Sequence, residues 1–157
     1  MKEQWMKTLG TMTYGIYALT TAHEGQTNVM LASWVSQVSY DPPLIAIAVH
    51  PNRRSHELIE TSGAFVLHVL KKSQKGLLTQ FMVSDPAAKF KGIDWKPGNA
   101  GCPILKDCVA WFACKLKDRI QPGNHTIFLG EIVDAETVSH DPSLTTRDYR
   151  GQYVGKV

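Results

Sequence analysis

The sequence predicts a mainly β protein, an antiparallel barrel that is closed or nearly closed and carries two or three covering helices. Three observations carry that prediction: strand-like segments outnumber helical ones, the helical segments are too few for separate βαβ units, and turn residues recur between short apolar runs. A single domain spanning 1–157 is expected, because 157 residues enclose one core comfortably and two only with difficulty. Hydrophobic residues at 43% and charged residues at 20% exclude a disordered chain, with only residues 140–157 expected as an extended tail.

Trp5, Met6 and Leu9 recur at helical spacing and predict a short amphipathic helix ending at Gly10. Tyr14 to Thr20 is β-compatible, and His23-Glu24-Gly25-Gln26 supplies a turn into a second strand from Thr27, which makes a hairpin. Asn28 to Ser39 alternates loosely until Asp41-Pro42-Pro43 breaks it, since two prolines cannot continue a strand interior. Leu44 to Val49 is a continuous apolar run, predicted to be a strand buried on both faces at the centre of the barrel. Arg53 to Thr61 reads as a helix capped by Ser55, with Gly63 past its end. Phe65 to Leu70 is a further strand and Gln74 to Val83 a second short helix. Ser84 to Asp107 is predicted to be a long loop, punctuated by Pro86, Gly92, Pro97, Gly98, Gly101 and Pro103. Val109 to Ile120 and His125 to Val138 form the last antiparallel pair around Pro122-Gly123.

Seventeen basic residues against fourteen acidic ones leave a charge of +3, and they are scattered, which argues against a nucleic-acid partner. Met1 to Thr11 mixes lysines, a glutamate and a glutamine with its apolar residues, so it fits neither a signal peptide nor a membrane span, and a cytoplasmic location is expected. Cys102, Cys108 and Cys114 form no C-x-x-C pair; they read as reduced, buried thiols, and no metal site is expected.

Three segments carry candidate chemistry. Met30-Leu31-Ala32-Ser33-Trp34-Val35-Ser36-Gln37-Val38-Ser39 interrupts a strand pattern with hydroxyls at 33, 36 and 39, which suits a phosphate or a ribityl chain; from pattern alone a strand with solvent-facing serines is the commoner case. His50-Pro51-Asn52-Arg53-Arg54-Ser55-His56 is a basic turn at a helix start, where free N–H groups and guanidinium donors together make a monophosphate clamp; the plain alternative is a solvated basic turn. Gly123-Asn124-His125-Thr126-Ile127-Phe128-Leu129-Gly130-Glu131 places a histidine at the mouth of a strand, where an isolated histidine is more often structural than catalytic. No G-x-G-x-x-G, Walker loop, H-E-x-x-H motif or Ser/His/Asp order is present, so the segments describe a nucleotide-like ligand with one phosphate.

Taken in order, Asn28, Ala32 to Ser39, Asp41-Pro42-Pro43-Leu44, Asn52 to His56, Ser62 to Leu67, Gly123 to Thr126 and Gly130-Glu131 resemble the flavin reductase family of FMN-binding split-barrel proteins. The resemblance implies a Greek-key-like split barrel and a homodimer with bound FMN that accepts hydride from NADH or NADPH, nicotinamide C4 to flavin N5. Electrons would pass to free flavin or to a protein acceptor or fused domain; the alternative is an FMN-binding electron-relay module with little direct NADH or NADPH activity. By position, Met30, Leu31, Ala32, Ser33, Trp34, Val35 and Ser36 would contact the flavin, while Arg53, Arg54, Ser55 and His56 hold its phosphate. Val49 and His50 would line the same cleft, Lys89 and Phe90 would belong to a segment closing over the flavin, and His125 would face the nicotinamide as the catalytic residue. Family members usually carry Asp where this chain has Asn124, a change that removes a negative charge beside His125.

Overall fold

In the computed structural model, which describes residues 1–149, the alternating segments become nine strands. Helix α1 (Lys2–Leu9) is followed by β1 (Tyr17–His23), β2 (Gln26–Ala32), β3 (Val35–Tyr40) and β4 (Pro43–Val49). Helix α2 (Arg54–Ser62) leads into β5 (Ala64–Val69), and two short helices, α3 (Leu77–Gln80) and α4 (Pro86–Lys89), precede the small strands β6 (Trp95–Pro97) and β7 (Pro103–Leu105). The long strands β8 (Ala110–Ile120) and β9 (Thr126–Thr137) complete the sheet.

Seven strands pair antiparallel in the order β2-β1-β5-β8-β9-β4-β3, and β6-β7 forms a separate ribbon. The antiparallel barrel with covering helices is present, but its hydrogen-bonded sheet is not closed. Its two free edges, β2 and β3, are consecutive in sequence and part at Ser33-Trp34, so the sheet coils on itself around a split. The β1–β2 hairpin turns through Glu24 at φ 46° and Gly25 at φ 78°; the successive positive values match the strand twist and explain the glycine.

The core lies inside the coil, where Leu19, Ile47, Ile59, Phe65, Leu67 and Phe128 are fully buried. β4 departs from expectation: Ile45, Ile47 and Val49 are buried while the residues between them are partly exposed, and the strand lies next to edge strand β3, away from the sheet centre. An apolar run alone does not distinguish a doubly buried strand from one whose second face carries small alanines. A second core beneath α3 joins Ile16, Leu70, Leu78, Phe81, Leu105 and Leu144.

Several element boundaries also differ from expectation. The helix expected over Gln74 to Val83 resolves into a 3₁₀ turn, Lys72–Gln74, and the separate α3. The segment Ser84 to Asp107 is not structureless, since it holds α4 and the β6–β7 ribbon. α1 ends at Gly10 as expected but buries none of its residues. Of the expected tail, residues 140–149 dock on the body through Leu144, whose N–H donates to Leu70 and whose carbonyl accepts from Ile16; residues 150–157 lie outside the described residues. No helix among the described residues is long and apolar enough to cross a membrane.

Gly130 on β9 faces Ile45 of β4 and Leu116 of β8 across the sheet. A Cβ there would lie 2.8 Å from Cys114 Cβ and closer still to the Phe65 ring. Gly130→Ala is therefore expected to destabilise the fold by about 1–3 kcal/mol, as overpacking of a filled core does. A thermal melt checks this, and a wild-type melting temperature would contradict the packing.

Candidate functional site

The basic turn folds as its sequence suggests, with one correction. Arg53, extended at φ −86° and ψ 135°, is the N-cap of α2, and Ser55 makes no cap bond. Ser55 is instead fully buried, and its Oγ accepts from Asn28 Nδ2 at 2.9 Å and Thr21 Oγ1 at 3.3 Å. A serine two residues beyond the cap is inside the first turn, where its hydroxyl can anchor the helix to β1 and β2. Arg54 reaches outward to Glu57 Oε2 at 3.1 Å and to the Gln26 carboxamide.

Lys89, at the end of α4, is only 8% exposed, and its ammonium donates to Asn28 Oδ1 at 3.0 Å and to the Val29 carbonyl at 2.9 Å. These acceptors are neutral, and among the described residues Lys89 has no ion pair. Burial, then the nearby Arg53 charge, pushes its pKa down. A buried cation that feels a second cation at a helix N-terminus favours an incoming anion, because the anion supplies the missing countercharge.

The charge of Arg53 also acts on an aromatic and imidazole cluster. His125 sits 4.8 Å from the Trp34 ring and 5.1 Å from the His50 ring, centroid to centroid, with His50 edge-on. Asn124 Oδ1 lies 2.8 Å from His125 Nδ1, so the asparagine accepts the ring N–H and leaves Nε2 as an acceptor. The orienting bond survives the loss of the acid, whereas the charge that would raise the histidine's pKa does not. Burial, then His50 and Arg53, holds that pKa below its ordinary value, which favours the neutral imidazole.

The remaining sequence candidates divide. Met30, Leu31 and Ala32 end β2, Ser33 is buried at the split, and Trp34 is half exposed, its carbonyl accepting from Ala48 N–H; Val35 and Ser36 start β3. Val49 points into the core at 1% exposure, so it borders the cluster through its backbone. His56 turns away from Arg53 and Arg54: its Nε2 lies 2.8 Å from Thr126 Oγ1, its Nδ1 is 3.6 Å from Glu60, and Glu60 pairs with Arg119. That chain of contacts fixes the start of α2 against the first residue of β9, next to His125. Phe90 leans on Trp95, ring centroids 5.8 Å apart.

Sequence reasoning did not identify the roles of Thr21, Glu60, Arg119 or Trp95, and it named Asn28 only as part of a motif. Asn28 carried a signal of its own, a polar residue on a strand whose neighbour Val29 is core. The donor set suits a phosphate monoester: helix N-terminus, two guanidinium groups and a buried ammonium, with the steeply inclined rings of Trp34, His50 and His125 clustered nearby.

Comparison with known proteins gives this arrangement a context. The flavin reductase like domain family matches residues 9–155. A flavin-dependent monooxygenase reductase subunit, HsaB, from Mycobacterium tuberculosis is 32% identical over 150 residues, 94% of this chain and 78% of that protein. A high molecular weight rubredoxin from Moorella thermoacetica is 32% identical over 147 residues, 91% of this chain. The chain spans only 64% of that rubredoxin's length, and 41% of the length of a Rhizobium meliloti relative. The solved structure of the Streptomyces globisporus NADH:FAD oxidoreductase SgcE6 superposes with a TM-score of 0.84 at 26% identity, covering 92% of this chain and 87% of that one.

Proposed function

From a chain that belongs to the flavin reductase like domain family, we propose an oxidoreductase that binds FMN and transfers hydride to it from NADH or NADPH. The observation that carries the proposal is Lys89, a buried ammonium that donates only to neutral acceptors and feels the charge of Arg53 at the start of α2. A bound flavin supplies the hydride-accepting chemistry, which leaves the chain to bind, orient and exclude water. Arg53, Arg54 and the first-turn amides of α2 hold the phosphate, with Lys89 beneath and Ser55 anchoring the turn from inside. Residues Met30 to Ser36 run along the ring and ribityl chain, and neutral His125, oriented by Asn124, faces the nicotinamide. His56 and Phe90 support the two walls from behind.

His125→Ala is expected to slow hydride transfer by roughly ten- to a hundredfold, the scale of a lost orienting contact, while changing flavin affinity little. Anaerobic stopped-flow reduction and a flavin titration separate the two effects. Equal losses in both would make His125 a structural residue.

We also propose a cytoplasmic homodimer. Trp34, Val38, Tyr40, Ile120 and Val133 are large, exposed apolar residues on or beside edge strand β3 and the long β8–β9 pair, surface that a second copy would cover. The three cysteines are free and buried, in keeping with a reducing compartment. A second reading, an electron-relay module serving a protein partner or fused domain, draws support from the rubredoxin relative, which extends well beyond the matched region. Fast reduction by a protein donor, with negligible reduction by NADH or NADPH, would favour it.

A further inference from the structure

His125 has an imidazole neighbour whose role the hydride-transfer reading leaves open. Val49 pairs with Thr126 in the last rung between β4 and β9, so His50 and His125 are the next residues outward on the two strands. Their rings meet with centroids 5.1 Å apart and planes inclined at 84°.

Each ring has one nitrogen already engaged. Asn52 N–H donates to His50 Nδ1 at 3.2 Å and Arg53 N–H donates to the His50 carbonyl at 3.0 Å. Residues 50–53 therefore form a tight turn with Pro51 in its second position, where the fixed φ of proline belongs. An imidazole that accepts at Nδ1 carries its own proton at Nε2. On His125 the arrangement is reversed, since Nδ1 is bonded to Asn124 Oδ1 at 2.8 Å and the lone pair is left at Nε2. The pair thus presents one N–H, on His50, and one open lone pair, on His125. A proton added to His50 would break the Asn52 bond, whereas a proton added to His125 Nε2 would break none.

The surroundings of that lone pair offer an added proton no countercharge. Trp34, before β3, and Asn124, in the β8–β9 turn, are neutral, and Arg53 at the start of α2 is a cation. On the neighbouring side Thr126 bonds His56, and it is His56 that meets Glu60. Among the described residues the histidine–carboxylate contacts are this one and His23–Glu24, so no carboxylate meets His50 or His125.

We infer that His50 is a positioning residue: locked neutral by its own turn, it packs against His125 and keeps His125 Nε2 an unprotonated acceptor for an N–H of the incoming coenzyme. The consequence for turnover rests on the hydride-transfer reading. An imidazolium at His125 would lose the acceptor and would set a positive charge beside a nicotinamide ring that itself becomes cationic as it gives up hydride. The direction in which burial, then His50 and Arg53, moves the His125 pKa agrees with this role.

The test is an NMR titration of the histidine ring protons of the full chain in the wild type, His50→Phe and His50→Leu, with His125→Gln identifying the His125 signal. Both substitutions remove the Nε2–H and keep an apolar group against His125, so one folded variant suffices. The His125 midpoint is expected to rise by about half a pH unit or more. Asn124→Asp, which puts a carboxylate on the same ring, should also raise it and shows that the signal responds. The pH profile of anaerobic flavin reduction by NADH should move up by the same interval in the His50 variants. A midpoint that moves in Asn124→Asp and stays fixed in the His50 variants would overturn the inference. So would a reduction rate lowered equally at every pH, the mark of a merely structural residue. A shifted midpoint in a chain whose flavin NADH does not reduce would support the pairing and overturn the hydride-transfer reading alone.

Discussion

Replacing Arg53 and Arg54 together by alanine is expected to weaken flavin binding by about two to four orders of magnitude. A hydrogen bond to a charged group contributes roughly 1.5–3 kcal/mol, so two guanidinium contacts to one phosphate account for about 3–6 kcal/mol, at 1.4 kcal/mol per tenfold. Lys89 would remain and keep some anion affinity, which is why binding should weaken and not vanish. Because Arg54 is exposed and already shared with Glu57 and Gln26, its part should shrink as salt rises, whereas the part due to buried Lys89 should not. Titration of the double variant at low and high salt separates the two. Affinity unchanged in the double variant would remove both arginines from the site.

The second large effect concerns stability and pH. His68 is fully buried on β5, its Nδ1 3.1 Å from the Ala18 carbonyl and its Nε2 accepting from Leu105 N–H at 3.0 Å. One nitrogen must donate and the other must accept, so only the neutral ring satisfies both bonds. A second proton would face the Leu105 donor and charge a desolvated ring. Burial accordingly pushes its pKa down to about 4 from 6.5. The folded pKa is lower than the unfolded one, so the unfolded chain takes up a proton first as the solution is acidified. The contribution to stability is complete above pH 6.5 and is lost as pH falls from 6.5 to about 4. At 1.36 kcal/mol per pKa unit the loss reaches about 3 kcal/mol. Urea unfolding across that window should show the slope in the wild type and a much flatter one in His68→Gln, whatever the variant's absolute stability. Identical slopes would mean that the ring titrates normally in the fold.

His68 also shows why some of the molecule was readable from sequence and some was not. The hairpin was legible because Glu24-Gly25 needs positive φ values that glycine accepts, and β8 and β9 were legible because Pro122-Gly123 separates two long alternating runs. These are local signals. Nothing local marks His68 as the hinge between β1, β5 and β7, since its two partners lie 50 and 37 residues away.

The candidate site divides in the same way. Arg53, Arg54, His50 and His125 stood out because charge or imidazole occurs beside a turn, and the fold brings them to one surface. Ser55 was misread as a cap because position alone does not show whether a hydroxyl points to its own helix or to Asn28. Lys89 looked like part of a covering loop, and its partner Asn28 is 61 residues away; only the packing of α4 against β2 turns it into a buried cation. The resemblance implied a split barrel, but the place of the split was not legible locally, because Ser33-Trp34 resembles continuous strand until the two edges are seen to belong to different ends of the sheet.

The most direct test of the hydride-transfer proposal is an absorbance spectrum of gently purified protein supplied with FMN, recorded anaerobically before and after addition of NADH and then NADPH. An oxidised-flavin spectrum that bleaches with either donor is the expected result. Bound flavin that stays oxidised with both donors would contradict it.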